Sequence, residues 1–433
     1  LEGNKAKTGK KQNNSKETIK IKIKNKMQEK TTAKMKYTIS KKADEKVQGD
    51  LDIIKEILVK KLNPRSIILF GGFGRGEGSF EIAKGKILPL NDYDIYVVTG
   101  KKVQNKMLDE LGKECSKAIG RGGLEFAEEY SSTYDKNRFF HVDLRCLVYS
   151  RLGRMKRINR TYELKHASTI IYGEDARKRI NDVTIPISES FRYLLNPACH
   201  LLLCMDSRRL HGNFKKDERT FAMHHITKTY LACASSLLIS AGRFAPTYTG
   251  TALAFKKIYG RKFPELAERV EKAAKFKVMP RKKETSNISE KWAEAKDDLF
   301  FCMGYIAKKH LNIKAENAME LAEKIYKKLP YTYFEPYLPF GFMSKAAFPA
   351  QYALNILYFT RSGKFKVLLN WRDVGLKIAM NALILLYAAS DSEICRQAYK
   401  SISGFSSPKS EKWEDLRAAL LYAFDKYFSQ KLI

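Results

Sequence analysis

The sequence has no two cysteines close enough to form a C-x-x-C pair. Its seven cysteines, at 115, 146, 199, 204, 233, 302 and 395, are scattered and odd in number, which excludes a simple disulfide framework and a cysteine zinc site. Reduced thiols in a cytoplasmic protein are the expectation. Long apolar runs are also missing. The longest, residues 374–389, is interrupted by Lys377 and Asn381 and is too short to span a bilayer. The N-terminal stretch is basic with no apolar run behind it, unlike a secretory signal, so no stable membrane association is expected. There is no internal repeat, and nothing in the sequence sets an oligomeric state. Acidic residues are scarce, with 47 Asp and Glu against 80 Lys and Arg, a formal charge of +33. Residues 1–42 hold 14 Lys and 3 Glu, a local +11, which leaves +22 for the remaining 391 residues. The body is therefore basic in its own right, which favours polyanionic partners such as nucleic acid, nucleotides or acidic membrane surfaces.

The hydrophobic share of 44% is enough for a sizeable core, and 433 residues allow two or three domains. Residues 1–42 are too poor in large apolar side chains to offset their ordering entropy, and a disordered basic tail is expected there. From residue 43 to residue 61, Val47, Leu51, Ile54, Ile57 and Leu58 recur at helical spacing, and Asn63-Pro64 ends that helix. A second helix is expected over 103–120, with Val103, Met107, Leu108, Leu111 and Cys115 on one side. After residue 188 helical patterns follow one another, broken by Pro and Gly. The expected architecture is α+β: an N-terminal mixed-sheet domain over 43–180, then a large all-helical region over 181–433, with two helical subdomains possible about 330–343.

The most informative stretch spans residues 67–98. Ile67-Ile68-Leu69-Phe70 reads as a short strand buried on both faces, and Gly71-Gly72-Phe73-Gly74-Arg75-Gly76-Glu77-Gly78-Ser79 ends it abruptly. A second strand follows, Asp92-Tyr93-Asp94-Ile95-Tyr96-Val97-Val98. Asp92 and Asp94 lie two apart, so both carboxylates leave one face while Ile95 and Val97 enter a core. Like charges side by side on a strand repel, and the usual reason to keep them is a divalent cation held by oxygen ligands. A third strand over 139–149 puts His141, Asp143 and Arg145 on one face and Val142, Leu144 and Cys146 on the other. The glycine stretch matches neither G-x-x-x-x-G-K-[ST] nor G-x-G-x-x-G. What remains is a loop of exposed amides with Arg75, followed by an acidic pair. Backbone amides and an arginine can cradle phosphates, and Asp92, Asp94 and Asp143 could hold the metals of an in-line nucleotidyl transfer. Taken singly, Gly-Gly is a turn and Asp-x-Asp a solvated edge; the joint order is what carries the reading. His224-His225 reads as structural, Lys228 on the same helix is within reach of a triphosphate but unassigned, and the basic run 151–160 reads as a solvated loop.

This order of motifs resembles the polymerase-β-like nucleotidyltransferase superfamily, particularly its minimal and antibiotic-modifying branches. Residues 71–77 stand for the family's glycine motif, Asp92-Tyr93-Asp94 for its Asp-x-Asp, and His141-Val142-Asp143-Leu144 for the strand with the third Asp. Ile171-Tyr172-Gly173-Glu174-Asp175 is similar to the segment that closes the catalytic domain. The resemblance covers about residues 45–180. It implies Mg²⁺ or Mn²⁺ on Asp92, Asp94 and Asp143, a triphosphate against Gly71, Gly72, Arg75 and Ser79, and ATP as the favoured donor. The acceptor would be RNA such as a tRNA end, a protein side chain or a small hydroxylated molecule; the acid-poor surface argues against cationic aminoglycosides. There are two departures. Gly72 stands where the family has Ser, and the segment before Asp92 is long, so 80–90 is expected to form an inserted loop or hairpin. The alternative is a catalytically inactive protein of this fold that binds RNA or nucleotide.

Overall fold

The computed structural model describes residues 36–83, 85–123, 140–280, 285–329, 348–369 and 373–428. Most of the expected basic tail and the whole expected division at 330–343 lie outside these residues. The first helix, α1 (Lys41–Leu62), buries Val47, Leu51, Ile54 and Leu58 along one stripe and ends where Asn63 turns left-handed (φ 42°) ahead of Pro64. Next come β1 (Ser66–Leu69), buried throughout, and a single helical turn at Gly71–Gly74. The expected insertion is a hairpin, β2 (Phe80–Ala83) and β3 (Lys86–Pro89). It is followed by β4 (Asp92–Thr99), α2 (Asn105–Ala118), β5 (His141–Val148), α3 (Asn159–His166) and β6 (Thr169–Gly173). The second helix begins later than its sequence pattern suggested. Val103 precedes it and Met107 faces solvent, while Leu108, Leu111 and Cys115 are buried.

The main sheet is mixed, with strand order β5-β4-β1-β6. Strands β4 and β5 run parallel; β1 is antiparallel to both of its neighbours. The odd positions of β4 (Tyr93, Ile95, Val97) join Val142, Leu144, Leu51, Leu58 and Leu111 in a core beneath α1 and α2. On the opposite face, Tyr96 and Val98 pack with Ile68, Leu152, Leu164, Ala176 and Ile180. These last four belong to α3 and to two short 3₁₀ segments and their ends, Tyr149–Arg154 and Ala176–Arg179. The two faces are thus covered by different layers, and the even face, which carries Asp92 and Asp94, is the partly open one.

The helical region that follows comprises α4 (Ser188–Leu203), α5 (Lys216–Ser240), α6 (Tyr248–Tyr259), α7 (Pro264–Val278), α8 (Ile288–Leu311), α9 (Ala318–Lys328), α10 (Phe348–Ser362), α11 (Val374–Leu385), α12 (Ser392–Ile402) and α13 (Trp413–Phe428). Their apolar side chains form one continuous cluster from Phe191 to Ala423, with helices on both sides of the 330–347 gap contributing. Helix α5 is enclosed nearly all round. Among residues 221–240, all of them described, only Lys228 is exposed.

The glycine-rich segment also joins the two regions. The Glu77 carboxylate accepts from the amides of Tyr248 (2.5 Å) and Thr249 (2.8 Å), so an acid from the sheet region caps the N-terminus of α6, where the helix dipole favours negative charge. Arg75 pairs with Glu163 (3.1 Å), donates to the Pro246 carbonyl (3.2 Å) and lies over the Tyr248 ring. The Ser79 hydroxyl donates to the carbonyl of Lys277. The side chains of Arg75, Glu77, Ser79 and Glu163 are themselves almost wholly withdrawn from solvent, so each would be costly to leave unpaired. We expect Glu77→Ala to lower the unfolding free energy by about 2–4 kcal/mol, measured by urea denaturation. Glu77→Gln, which keeps one acceptor for the α6 amides, loses less.

Candidate active site

The parallel register of β4 and β5 sets Asp94 directly opposite Asp143, and Asp92 opposite His141. Neighbouring positions of a parallel pair face the same way, so Asp92, Asp94 and Asp143 share the even face. Asp92 and Asp94 leave one face of their strand, and Asp143 the polar face of its own, as their sequence spacing suggested; the pairing of the two strands brings them together. Their surroundings differ from an open acidic edge. Asp143 is buried, and its Oδ2 accepts from Arg145 Nε (2.9 Å) and Nη2 (2.8 Å). Arg160, at the start of α3, places Nη2 3.8 Å from Asp94 Oδ1 and its guanidinium over the rings of Phe70 and Tyr96. Burial, then the neighbouring Asp92, push the Asp94 carboxyl up to about 6, with Asp143 adding to the effect against Arg160 and Arg145.

Gly71 packs against this pair. Its backbone is left-handed (φ 64°), and a Cβ there would collide with Asp94 Oδ2. A glycine is therefore required on two counts, conformation and space. Gly72 is different. A Cβ would meet the Glu77 carbonyl at 3.4 Å and the Gly78 Cα at 3.7 Å, both ordinary contacts, so packing does not forbid the serine that the family pattern has there. Gly71 stays beside the Asp94 carboxylate, while Gly72 packs on the Glu77–Gly78 backbone. Arg75 and Ser79, expected against a triphosphate, are instead committed to Glu163, Pro246 and Lys277, because the glycine turn directs them to the seam with the helical region.

The cations facing the carboxylates come from elsewhere. Lys228 on α5 and Lys277 near the end of α7 are both close enough to Asp92 and Asp94 to feel their charge. Burial holds the Lys228 amine below its usual range, although solvent reaches the side chain. Burial, then nearby Lys228, push the Lys277 amine down to about 7. Behind them, the rings of His200 and His225 lie 5.0 Å apart and those of His224 and His225 5.6 Å apart. Burial keeps all three imidazoles below their usual range, as a neutral, packed cluster would be. Lys277 was legible in principle: Leu266, Val270, Ala273 and Ala274 put position 277 on the buried face of α7, where a lysine needs a partner. Arg160 was concealed inside a run that looked solvated.

Oxygen donors of this kind suit Mg²⁺ or Mn²⁺, and the crowding that raises Asp94 is what a divalent cation would relieve. Among the described residues, however, no group of three or more His, Cys, Asp or Glu side chains is gathered to hold a metal ion unaided. Arg145 takes up one oxygen of Asp143.

Comparison with known proteins adds little. A solved structure, spectinomycin adenyltransferase from Enterococcus faecialis with ATP and spectinomycin, aligns with 58% of this chain and 98% of its own at 15% identity and a TM-score of 0.36. No protein-family model matches the chain, and no curated protein matches it. No described helix is long and apolar enough to cross a membrane.

The raised Asp94 has a consequence for stability. Its folded value, about 6, lies above the ordinary 3.8, so ionising it opposes folding. The associated stability is present at and below about pH 4 and is lost as pH rises through about 6. In metal-free buffer, Asp94→Asn should therefore be more stable than the wild type by about 1–3 kcal/mol above pH 7, with the difference vanishing near pH 4, as read by urea unfolding at both pH values.

Proposed function

We propose that the chain is a metal-dependent nucleotidyltransferase that moves a nucleoside monophosphate, AMP by preference, from an NTP to an acceptor hydroxyl. The observation that carries this reading is the direct opposition of Asp94 and Asp143, with Asp92 on the same face and Lys228 and Lys277 across from them. A lone acidic edge would need no lysines drawn from two helices of another region. A nucleotide triphosphate with its metal needs both signs, carboxylates for the cation and ammonium groups for the phosphates.

Asp92 and Asp94 would hold Mg²⁺ or Mn²⁺ together with phosphate oxygens and water, an incomplete protein set of the kind magnesium sites commonly use. The ion would supply neutralisation of the phosphate charge and a lower pKa for the acceptor hydroxyl. The amides of Gly71 and Gly72 are assigned to the phosphates, with the metal between them and the Asp94 carboxylate that packs on Gly71. Lys228 and Lys277 replace Arg75 and Ser79 as the groups we assign to the β- and γ-phosphates, because those two are held in the seam. Asp143 is oriented by Arg145 and accepts the proton of the attacking hydroxyl. The hydroxyl oxygen bonds to the α-phosphorus, the bond from that phosphorus to the bridging oxygen breaks, and pyrophosphate leaves with the electron pair.

With α-labelled ATP and a mixed pool of RNA, protein and small hydroxylated molecules, Mg²⁺-dependent label transfer is expected. Asp92→Asn or Asp94→Asn should reduce it by about a hundredfold or more, and Lys228→Ala should raise the KM for ATP roughly tenfold with a smaller change in kcat. Absence of transfer from every NTP by the wild type would overturn this function.

A further inference from the structure

We propose that the outer surface formed by Tyr149–Arg154, Ala176–Arg179 and Arg65 binds the phosphate backbone of a single-stranded polynucleotide, and that this polynucleotide is the acceptor. The second half of the statement rests on the nucleotidyl-transfer reading; the first does not. Arg151, Arg154, Lys178, Arg179 and Arg65 are all exposed. Among the described residues, Arg151 and Arg154 have no ion-pair partner. Arg65 and Arg179 both lie over the ring of Tyr149, at 4.3 and 4.6 Å, so their guanidinium planes are held in place before any ligand arrives. The nearby acids are already engaged. Asp175 holds Arg177 at 2.7 Å, and Glu174 accepts from the Tyr149 hydroxyl at 3.0 Å and sits 4.0 Å from Arg65.

This surface is anchored. Leu152, Ala176 and Ile180 are buried against Ile68, Tyr96 and Val98, and Asn181 donates to the Gly153 carbonyl at 2.7 Å, tying the two short segments together. Tyr96 and Val98 are on the same face of β4 as Asp94, so the basic layer covers the continuation of the carboxylate face. The chain then returns along that face to Arg160, 3.8 Å from Asp94. A run that reads in the sequence as a solvated loop thus forms a basic path leading to the carboxylates. Tyr149 lies six positions beyond Asp143 in the chain, about 20 Å along an extended strand, the length of roughly six stacked nucleotides. A strand lying on the path would bring its terminal hydroxyl to Asp94 and Asp143.

The chemistry favours a polynucleotide over an anionic membrane. None of the exposed large apolar side chains of the described residues falls between 149 and 182, so nothing there could insert into lipid. Arginine with an interleaved aromatic ring suits phosphates and bases together.

The test uses the full chain, with fluorescein-labelled single-stranded RNA of about twenty nucleotides and a DNA of the same sequence, read by fluorescence anisotropy over a range of salt. Wild type should bind, with affinity falling steeply as salt rises. Arg151→Glu/Arg154→Glu should weaken binding tenfold or more and lower the log–log salt slope by about 1.4, with an unchanged thermal melt. If that variant melts early, Arg151→Gln/Arg154→Gln repeats the measurement. Unlabelled RNA should compete, whereas ATP or inorganic phosphate at equal phosphate concentration should not. Binding that is indifferent to these substitutions would overturn the proposal and point to the Lys-rich residues 1–42. Equal competition by ATP, or preference for phosphatidylserine vesicles, would also overturn it. Asp92→Asn should bind RNA as the wild type does, so loss of transfer and loss of binding are read separately.

Discussion

Asp94 and Asp143 stand opposite one another on parallel strands, partly withdrawn from water, with Asp92 two residues away. Three like charges in that space repel, and much of the surrounding structure answers to that repulsion. Arg145 reaches across from the same strand as Asp143, Arg160 comes from α3, and Lys228 and Lys277 come from two helices of the other region. Even so, Asp94 stays hard to ionise. A site that draws cations from four elements and is still short of positive charge is suited to receive more of it.

The same constraint explains the glycine turn. Asp94 occupies the volume that a side chain at position 71 would need, so the chain can pass only as glycine, in a left-handed conformation. Once turned, it carries Arg75, Glu77 and Ser79 away from the carboxylates and into the seam. There Glu77 caps α6, Arg75 meets Glu163, and Ser79 fastens the end of α7 that carries Lys277. The segment that packs against Asp94 thereby also positions the helix end that carries Lys277.

Period-two alternation in 92–98 and 141–147 was enough to put Asp92 and Asp94 on one face and Asp143 on the polar face of its own strand; that the two strands are parallel neighbours, with Asp94 opposite Asp143, is seen only in the structure. The mixed sheet, the hairpin insertion and the helical remainder were legible for similar reasons, since they follow from local apolar patterns and turn residues. The destinations of Arg75 and Ser79 were not. Their partners, Glu163, Pro246 and Lys277, are far along the chain, and no local pattern signals such a pairing. Arg160 was hidden by its basic neighbours. Lys228 was noticed but could not be assigned, since a helical pattern alone does not show which charged groups a single exposed position lies near.

If Asp92 and Asp94 hold a divalent ion together with a nucleotide, Mn²⁺ binding, followed by the relaxation of water protons with and without ATP, reports it. The wild type should bind Mn²⁺ weakly alone and at least tenfold more tightly with ATP, and Asp94→Asn should lose that gain. Wild-type binding that ATP does not strengthen, or that survives Asp94→Asn unchanged, would contradict that role.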